Sequence, residues 1–258
     1  MAMIKCPECG REMSSWAQAC PCCGVPQDII KKLLAEQRSM NRGNATGLRR
    51  RNLNVGQHYS FGSFIGEKIW WRVLAIEDDK ALLISDKCLA TKPYNETDAD
   101  VTWETCTLRK WLNTEFLINA FSSEEEEQII ITQVTAEPNE YYDTNPGSDT
   151  WDKIFLPSST EVKKYLTVPS LENDFDSTGG ITATATDYAL AYGATLDSIH
   201  KTSHWWLRTP GRLNNTVIAI DTIGLLGTYG TPVNSAEYCV RPAIWIDLTY
   251  GDGGYHYA

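Results

Sequence analysis

Four of the eight cysteines fall into two copies of one short pattern. Cys6-Pro7-Glu8-Cys9-Gly10 is followed, nine residues later, by Cys20-Pro21-Cys22-Cys23-Gly24. Thiolates at C-x-x-C spacing can point two sulfurs at one ion, and Zn²⁺ takes four such ligands in a tetrahedron. A glycine after the second cysteine removes the steric cost of turning the chain tightly around the sulfur. Redox C-x-x-C motifs come singly beside a βαβ pattern, and none is visible here. The spacing therefore predicts one structural Zn²⁺ held by Cys6, Cys9, Cys20 and Cys23. Pairing Cys20 with Cys23 keeps the two halves alike and leaves Cys22 outside the ligand set. A closed four-thiolate site has no open position for water or substrate. About 25 residues cannot fold on apolar burial alone, so the metal supplies the missing free energy.

Charge divides the chain in the same place. Residues 1–54 carry nine Lys/Arg and four Asp/Glu, whereas the remainder carries fourteen and twenty-nine. An acidic body repels phosphate backbones, so nucleic acid is an expected partner only through residues 1–54, where Arg49-Arg50-Arg51 is the basic cluster. Residues 1–25 read as the zinc ribbon and 26–54 as an amphipathic helix followed by a basic, flexible linker. Residues 55–250 read as one large domain, with 251–258 as a tail. Ile29, Ile30, Leu33 and Leu34 give the helix its apolar face, and Pro26 suits its start. No run of about 18 apolar residues exists, so no membrane span is expected. The N-terminus lacks the apolar stretch of a signal peptide, and reduced zinc-type thiols fit a reducing compartment, so a cytoplasmic location is expected.

In the large domain, Ile69–Ile76 and Ala81–Ile84 read as strands joined by a turn at Asp78-Asp79-Lys80. Leu108, Trp111, Leu112 and Phe116 recur at helical spacing and predict a helix over Thr107–Phe121. Glu124–Glu127 follows Ser122-Ser123 and fits a capped helix start. Ile154–Leu156 is a short strand, and Ser158 with Glu161 forms a capping box for a helix through Leu166. Residues 167–181 read as an irregular loop, and Thr186–Tyr192 as a short helix ended by Gly193. From His204 onward the pattern is β: Trp205–Leu207, Thr216–Ile220, Leu225–Leu226 and Cys239–Ile246 are candidate strands. Helices in the middle and strands at both ends predict an α+β fold with antiparallel strands, in which the first and last strands lie side by side and bring the domain ends together.

Several strings carry resemblances. The ribbon resembles the zinc-ribbon segments that open many bacterial proteins. Trp71-Arg72-Val73-Leu74, Lys92-Pro93-Tyr94-Asn95, Trp103 to Arg109 with Trp111-Leu112-Asn113, Trp205 to Gly211, and Val240 to Trp245 together resemble a bacterial domain-of-unknown-function family. That family is common in gut Firmicutes and is sometimes carried behind a zinc ribbon. The Trp-Trp-Leu-Arg and Val-Arg-Pro-Ala strings also resemble the C-type-lectin-like fold of formylglycine-generating-type domains and of variable proteins diversified by retroelements. That resemblance implies a compact α+β domain whose C-terminal loops form a ligand surface. The copper-binding cysteine pair of the formylglycine enzymes has no counterpart along the sequence, where Cys106 and Cys239 stand singly.

Catalytic patterns are sparse. His200 and His204 are spaced i, i+4 but run into the Trp205-Trp206 strand, so the spacing does not place them on one face. No G-x-S-x-G elbow or Walker-type loop occurs, and Gly224 to Gly230 reads as a β connector. Arg208 and Arg241 sit beside buried-type tryptophans and are expected to tie down loops by bonding carbonyls or a carboxylate. The expected function is a non-catalytic module binding a protein or a small-molecule ligand. Asn214, Asn215, Tyr229, Asn234 and Tyr238, all in predicted turns, are its candidate contacts. Two alternatives stand beside it: an enzyme with an unfamiliar site built on acidic pairs or Cys106, and a regulatory protein touching nucleic acid through the ribbon.

Overall fold

A computed structural model describes residues 3–14, 17–30, 32, 51–166 and 180–250. These residues divide into two units, one within 3–32 and one within 51–250. Most of the expected linker, most of the loop expected at 167–181 and the tail 251–258 lie outside the described residues.

The small unit is a two-stranded hairpin, β1 (Met3–Lys5) antiparallel to β2 (Glu12–Ser14). Residues 27–30 are helical. Among the described residues its buried apolar set is Cys6, Met13, Cys20 and Ile30. So small a core cannot offset the conformational entropy of ordering the chain.

The large unit is mixed α+β, built mainly of sheet. One five-stranded sheet has the order β3-β4-β5-β14-β9 and is antiparallel throughout. Its members are β3 (His58–Phe64), β4 (Glu67–Glu77), β5 (Lys80–Ser85), β9 (Ile154–Phe155) and β14 (Ala243–Asp247). The β3–β4 turn places Ile65 at φ 50° and Gly66 at φ 79°, the left-handed pair that a two-residue hairpin loop requires. The second sheet has the order β12-β11-β10-β13-β6. It comprises β6 (Ala90–Thr91), β10 (Trp205–Pro210), β11 (Thr216–Ile220), β12 (Thr231–Pro232) and β13 (Cys239–Val240). β10 is buried on both faces, and β13 runs parallel to it. A separate hairpin pairs β7 (Thr132–Val134) with β8 (Thr150–Asp152).

Several sequence expectations need correction, among them the strand Leu225–Leu226, which forms only an isolated bridge from Leu226 to Ile220. The last segment, read as one strand over Cys239–Ile246, is two strands in different sheets. Pro242 has no N–H to give to a ladder, so the chain leaves one sheet at Val240 and enters the other at Ala243. β14 does not lie beside the first predicted strand either, because β5 stands between them. The domain ends nevertheless meet, through the Arg51 N–H donating to the Leu248 carbonyl at 2.9 Å. Arg51 itself, read as part of the solvated linker, is buried beside Tyr59 and Phe61 and bonds the Gln128 side chain.

The helices are short. α1 (Thr107–Trp111) runs through a π-helical turn (Leu112–Phe116) into α2 (Leu117–Ala120). At that turn Asn113 leaves the helix surface and docks on the sheet edge. Its carboxamide oxygen accepts from the Lys153 and Ile154 N–H groups, and its nitrogen donates to the Ile154 carbonyl at 2.8 Å. α3 (Ser123–Gln128) and α4 (Ser159–Tyr165) both start on complete capping boxes, Ser122 with Glu125 and Ser158 with Glu161. α5 (Asp187–Ala191) is capped by the Thr186 hydroxyl.

Packing between α2 and β3 leaves no room at Gly62. Its φ is +72°, and an added Cβ would meet the Ala120 carbonyl and the Phe121 ring at 2.6 Å. Gly66 has a similar φ, +79°, with nothing within 4 Å. Gly62→Ala is therefore expected to destabilise the domain by about 3 kcal/mol and Gly66→Ala by about 1 kcal/mol. Urea melts of the two variants check this; equal losses would show that backbone strain alone, and not contact with Phe121, makes Gly62 necessary.

Candidate metal centre and loop surface

The four cysteines of the two knuckles come together. In the first knuckle the Gly10 N–H donates to the Cys6 carbonyl at 2.8 Å, and the Cys6 N–H to Arg11 at 2.9 Å. The second repeats the pattern, with Gly24 to Cys20 at 2.9 Å and Cys20 to Val25 at 2.8 Å. Gly10 and Gly24 take φ of 71° and 75°, the conformation for which glycine was expected after each second cysteine. Cys6 Sγ lies 3.6 Å from Cys23 Sγ, and Cys9 Sγ lies 3.6 Å from Cys20 Sγ. All four sulfurs are within 4.8 Å of one another. Four thiolates at ~2.3 Å from one tetrahedral ion stand ~3.8 Å apart, whereas a disulfide needs ~2.05 Å. The sulfurs are thus already spaced for a metal ion and too far apart to be bonded. N–H groups of Cys23 and Cys22 aimed at the Cys20 sulfur lower its pKa to about 6, whereas burial and the neighbouring thiols push Cys23 up to about 12, so a bound ion would have to displace protons from the cluster. Cys22 is exposed and outside the group. Among the described residues no other set of three or more Cys, His, Asp or Glu converges in this way.

In the large unit the turns after β10 and β11 are pressed together. Gly211 and Gly230 touch through their backbones: a Cβ on Gly230 would stand 2.6 Å from the Gly211 Cα. The Arg212 N–H donates to the Tyr229 carbonyl at 2.8 Å. Of the five candidate contacts, three lie in these turns. Asn214 is exposed. The Asn215 carboxamide donates to Asp98 at 2.9 Å, and Tyr229 is 65% exposed. Asn234 is exposed in the turn after β12. Tyr238 is only half-buried, with its ring stacked on Trp206 at 4.5 Å and its hydroxyl 3.2 Å from Thr231.

The sequence reading missed the segment that completes this surface, residues 135–149 between β7 and β8. Two buried side chains pin it to the paired turns. The Asn139 amide donates to the Pro210 and Thr228 carbonyls at 2.9 and 3.0 Å. The Thr144 hydroxyl contacts the Gly211 and Arg212 carbonyls at 2.8 and 3.1 Å. Asp149 closes the base by accepting from the Ala136 N–H at 2.8 Å and from Gln133 at 3.0 Å. So held, the segment lays Tyr142 against Tyr229, with ring centroids 5.6 Å apart, and sets Tyr141 out in solvent. Arg212 lies over the Tyr142 ring, 6.0 Å from its centroid. Beside them is a cleft of about 490 Å³ lined by Asp100, Thr102, Glu104, Asn145, Ser148 and Asn214, among others. No periodicity marks a loop of this kind, and its pins act on carbonyls about 70 to 90 residues away, so nothing local singles out Asn139 or Thr144 in the sequence.

The arginines act as ties. Arg208 forms a forked pair with Glu161 and donates to the Leu156 carbonyl at 2.8 Å, while Glu161 also caps α4. Arg241 donates to the carbonyls of Ser85 (2.9 Å), Gly180 (2.6 Å) and Ile181 (3.2 Å) and lies over the Trp205 ring. His200 is bonded to Asp197 and the His204 ring lies tilted against Tyr238 at 5.2 Å, so they do not share a ligand position. His58 Nδ1 is 2.6 Å from Asp86, at an exposed edge.

Comparison with known proteins gives one match. The family model described as Domain of unknown function (DUF6273) matches residues 78–248, from the β4–β5 turn to the end of the large unit's sheet. Among curated proteins nothing matches. No solved structure matches either. The matched span covers β5 to β14 and most of the chain, and the chain therefore belongs to the family of unknown function DUF6273.

Proposed function

We propose that the large unit is a ligand-binding module and that the small unit is a ribbon held by structural Zn²⁺. The observation that carries the first part is the pinned segment 135–149. A loop this long without secondary structure is uncommon in a domain unless it has a function. Here buried Asn139 and Thr144 hold it against the paired turns, and its exposed face carries aromatic and polar side chains. Ordering a loop before the ligand arrives lowers the entropy cost of binding. Tyrosine and asparagine make adaptable contacts with little rotamer loss. The cleft is open to solvent and mostly polar, so a ligand there would lie across the surface rather than be enclosed. Its lining offers hydroxyls, carboxamides and carboxylates and no basic group, which favours a polar neutral or cationic ligand over a phosphorylated one. The C-type-lectin-like resemblance agrees in assigning ligand contacts to C-terminal loops. For the second part, thiolate sulfur and tetrahedral spacing favour Zn²⁺ among common ions, and four protein ligands leave no place for a substrate.

Two outcomes follow. Treatment of the reduced full chain with a chelator is expected to release one Zn²⁺ per molecule and to unfold residues 3–32. The thermal transition of the large unit should persist. Metal analysis and NMR of the amide region read both, and metal-free protein with an intact ribbon spectrum would sink the zinc assignment. A mixed panel of neutral saccharides, amino acids and short peptides, screened by ligand-observed NMR, is expected to give binders that compete at one site. Asn214→Ala and Tyr229→Ala should each weaken them about tenfold, roughly 1.4 kcal/mol, without lowering Tm. Binders indifferent to both substitutions, or none at all, would remove the loop surface from consideration.

A further inference from the structure

Each of the two 3.6 Å sulfur contacts in the small unit takes one thiol from each knuckle. Cys6 Sγ faces Cys23 Sγ, and Cys9 Sγ faces Cys20 Sγ. Each also sets a buried sulfur against one that reaches solvent. Cys6 and Cys20 are buried, whereas Cys9 and Cys23 are accessible. Along the chain the contacts are nested, spanning 17 and 11 residues.

A metal takes these ligands as thiolates, and thiolate is the form of cysteine that peroxide oxidises. When all four sulfurs carry that charge, access decides which is attacked first, and the accessible members are Cys9 and Cys23. A sulfenic sulfur formed at either has a resolving partner already beside it. Closing a contact from 3.6 Å to a bond of ~2.05 Å asks for a shift of about 1.5 Å. A bond within one knuckle would close only a C-x-x-C ring and leave the two knuckles untied. The nested bonds close longer loops, which restrains the unfolded chain more, and they tie together the same two knuckles that the ion ties.

We propose, resting on the zinc assignment above, that the ribbon is a peroxide-sensitive device in which oxidation releases the ion and joins the knuckles through Cys6–Cys23 and Cys9–Cys20. The Cys23 thiolate attacks one oxygen of hydrogen peroxide. An S–O bond forms, the O–O bond breaks, and hydroxide leaves and takes up a proton from solvent to become water. The Cys6 thiolate then attacks the sulfenic sulfur. The S–S bond forms, the S–O bond breaks, and the second oxygen leaves as hydroxide, which is protonated to water. Cys9 and Cys20 repeat the sequence with a second peroxide. Four thiolates, two peroxides and four protons give two disulfides and four waters, and the ion is set free because no charged sulfur remains to hold it. Chelation of the reduced chain removes the tie and unfolds the ribbon, whereas oxidation replaces the tie and preserves the β1–β2 hairpin.

The test titrates the reduced, zinc-loaded full chain with hydrogen peroxide while a chromogenic chelator follows released Zn²⁺. The product is then alkylated under denaturing conditions, digested and mapped by mass spectrometry. Trypsin cuts after Lys5, Arg11 and Lys31, which puts Cys6 and Cys9 on one peptide and Cys20, Cys22 and Cys23 on another. Bonds between the knuckles join the two peptides, and bonds within a knuckle leave them separate. The expected result is one Zn²⁺ released for two peroxides consumed, joined peptides whose fragmentation gives Cys6–Cys23 and Cys9–Cys20, and a dispersed amide spectrum for residues 3–14. Dithiothreitol with added Zn²⁺ should restore the starting protein. Cys22→Ser, which removes the thiol outside the ligand set, should release metal at an unchanged rate and give the same map. Separate peptides, a bond to Cys22, or Zn²⁺ retained at doses that oxidise Cys22 overturn the device and leave the zinc assignment standing. Absence of Zn²⁺ before any peroxide is added overturns both.

Discussion

The guanidinium of Arg241 sits where the two sheets exchange chain, and the architecture of the large unit turns on it. A buried cation is tolerated only when its donors are satisfied, since removing a charge from water costs several kcal/mol. Three carbonyls from two separate segments satisfy it, and the face of Trp205 covers what remains. In doing so it fixes the end of β5 and the chain at 180–181 relative to β10. Pro242 follows at once and forbids a continuous strand, so one short sequence both divides β13 from β14 and ties the division down.

The same logic recurs in place of a thick helical layer. Asp152 is buried and accepts from Trp103, Arg109 and Thr150, which binds the start of α1 to β8. Glu161 serves two masters, its own helix N-terminus and Arg208 of β10. Each of these contacts satisfies buried polar groups that would otherwise go unpaired, at a cost of about 1–3 kcal/mol each. Short helices and two-residue strands can hold position in such a structure because polar side chains reach across to them.

Much of this was legible where a rule acts locally. The period of Thr107–Phe121, the two capping boxes and the Asp78-Asp79 turn depend on neighbours within about four residues, and the elements stand where those rules put them. The knuckle glycines belong to the same class. The strand His58–Phe64 went unread because Gly62 and a register shift between Ser60 and Ser63 spoil its alternation. Cys239–Ile246 is an unbroken apolar stretch apart from Arg241-Pro242, and hydrophobicity alone cannot say that its halves enter different sheets. The loop 135–149 was invisible for a related reason: what orders it is long-range contact, and its own residues resemble those of any polar connector. Three of the five candidate contact residues fall in the turns it touches, because turn chemistry is local, while the partners that make a surface of them are not.

The backbone contact between Gly211 and Gly230 has a bearing on how this surface can change over generations. The frame there is carried by main-chain atoms and by inward-facing Asn139 and Thr144, whereas Leu213, Asn214, Tyr141 and Tyr229 project outward. Folding asks almost nothing of the outward set. Selection is therefore at liberty to rewrite those four identities for a new target, so long as two glycines, one amide and one hydroxyl are left untouched.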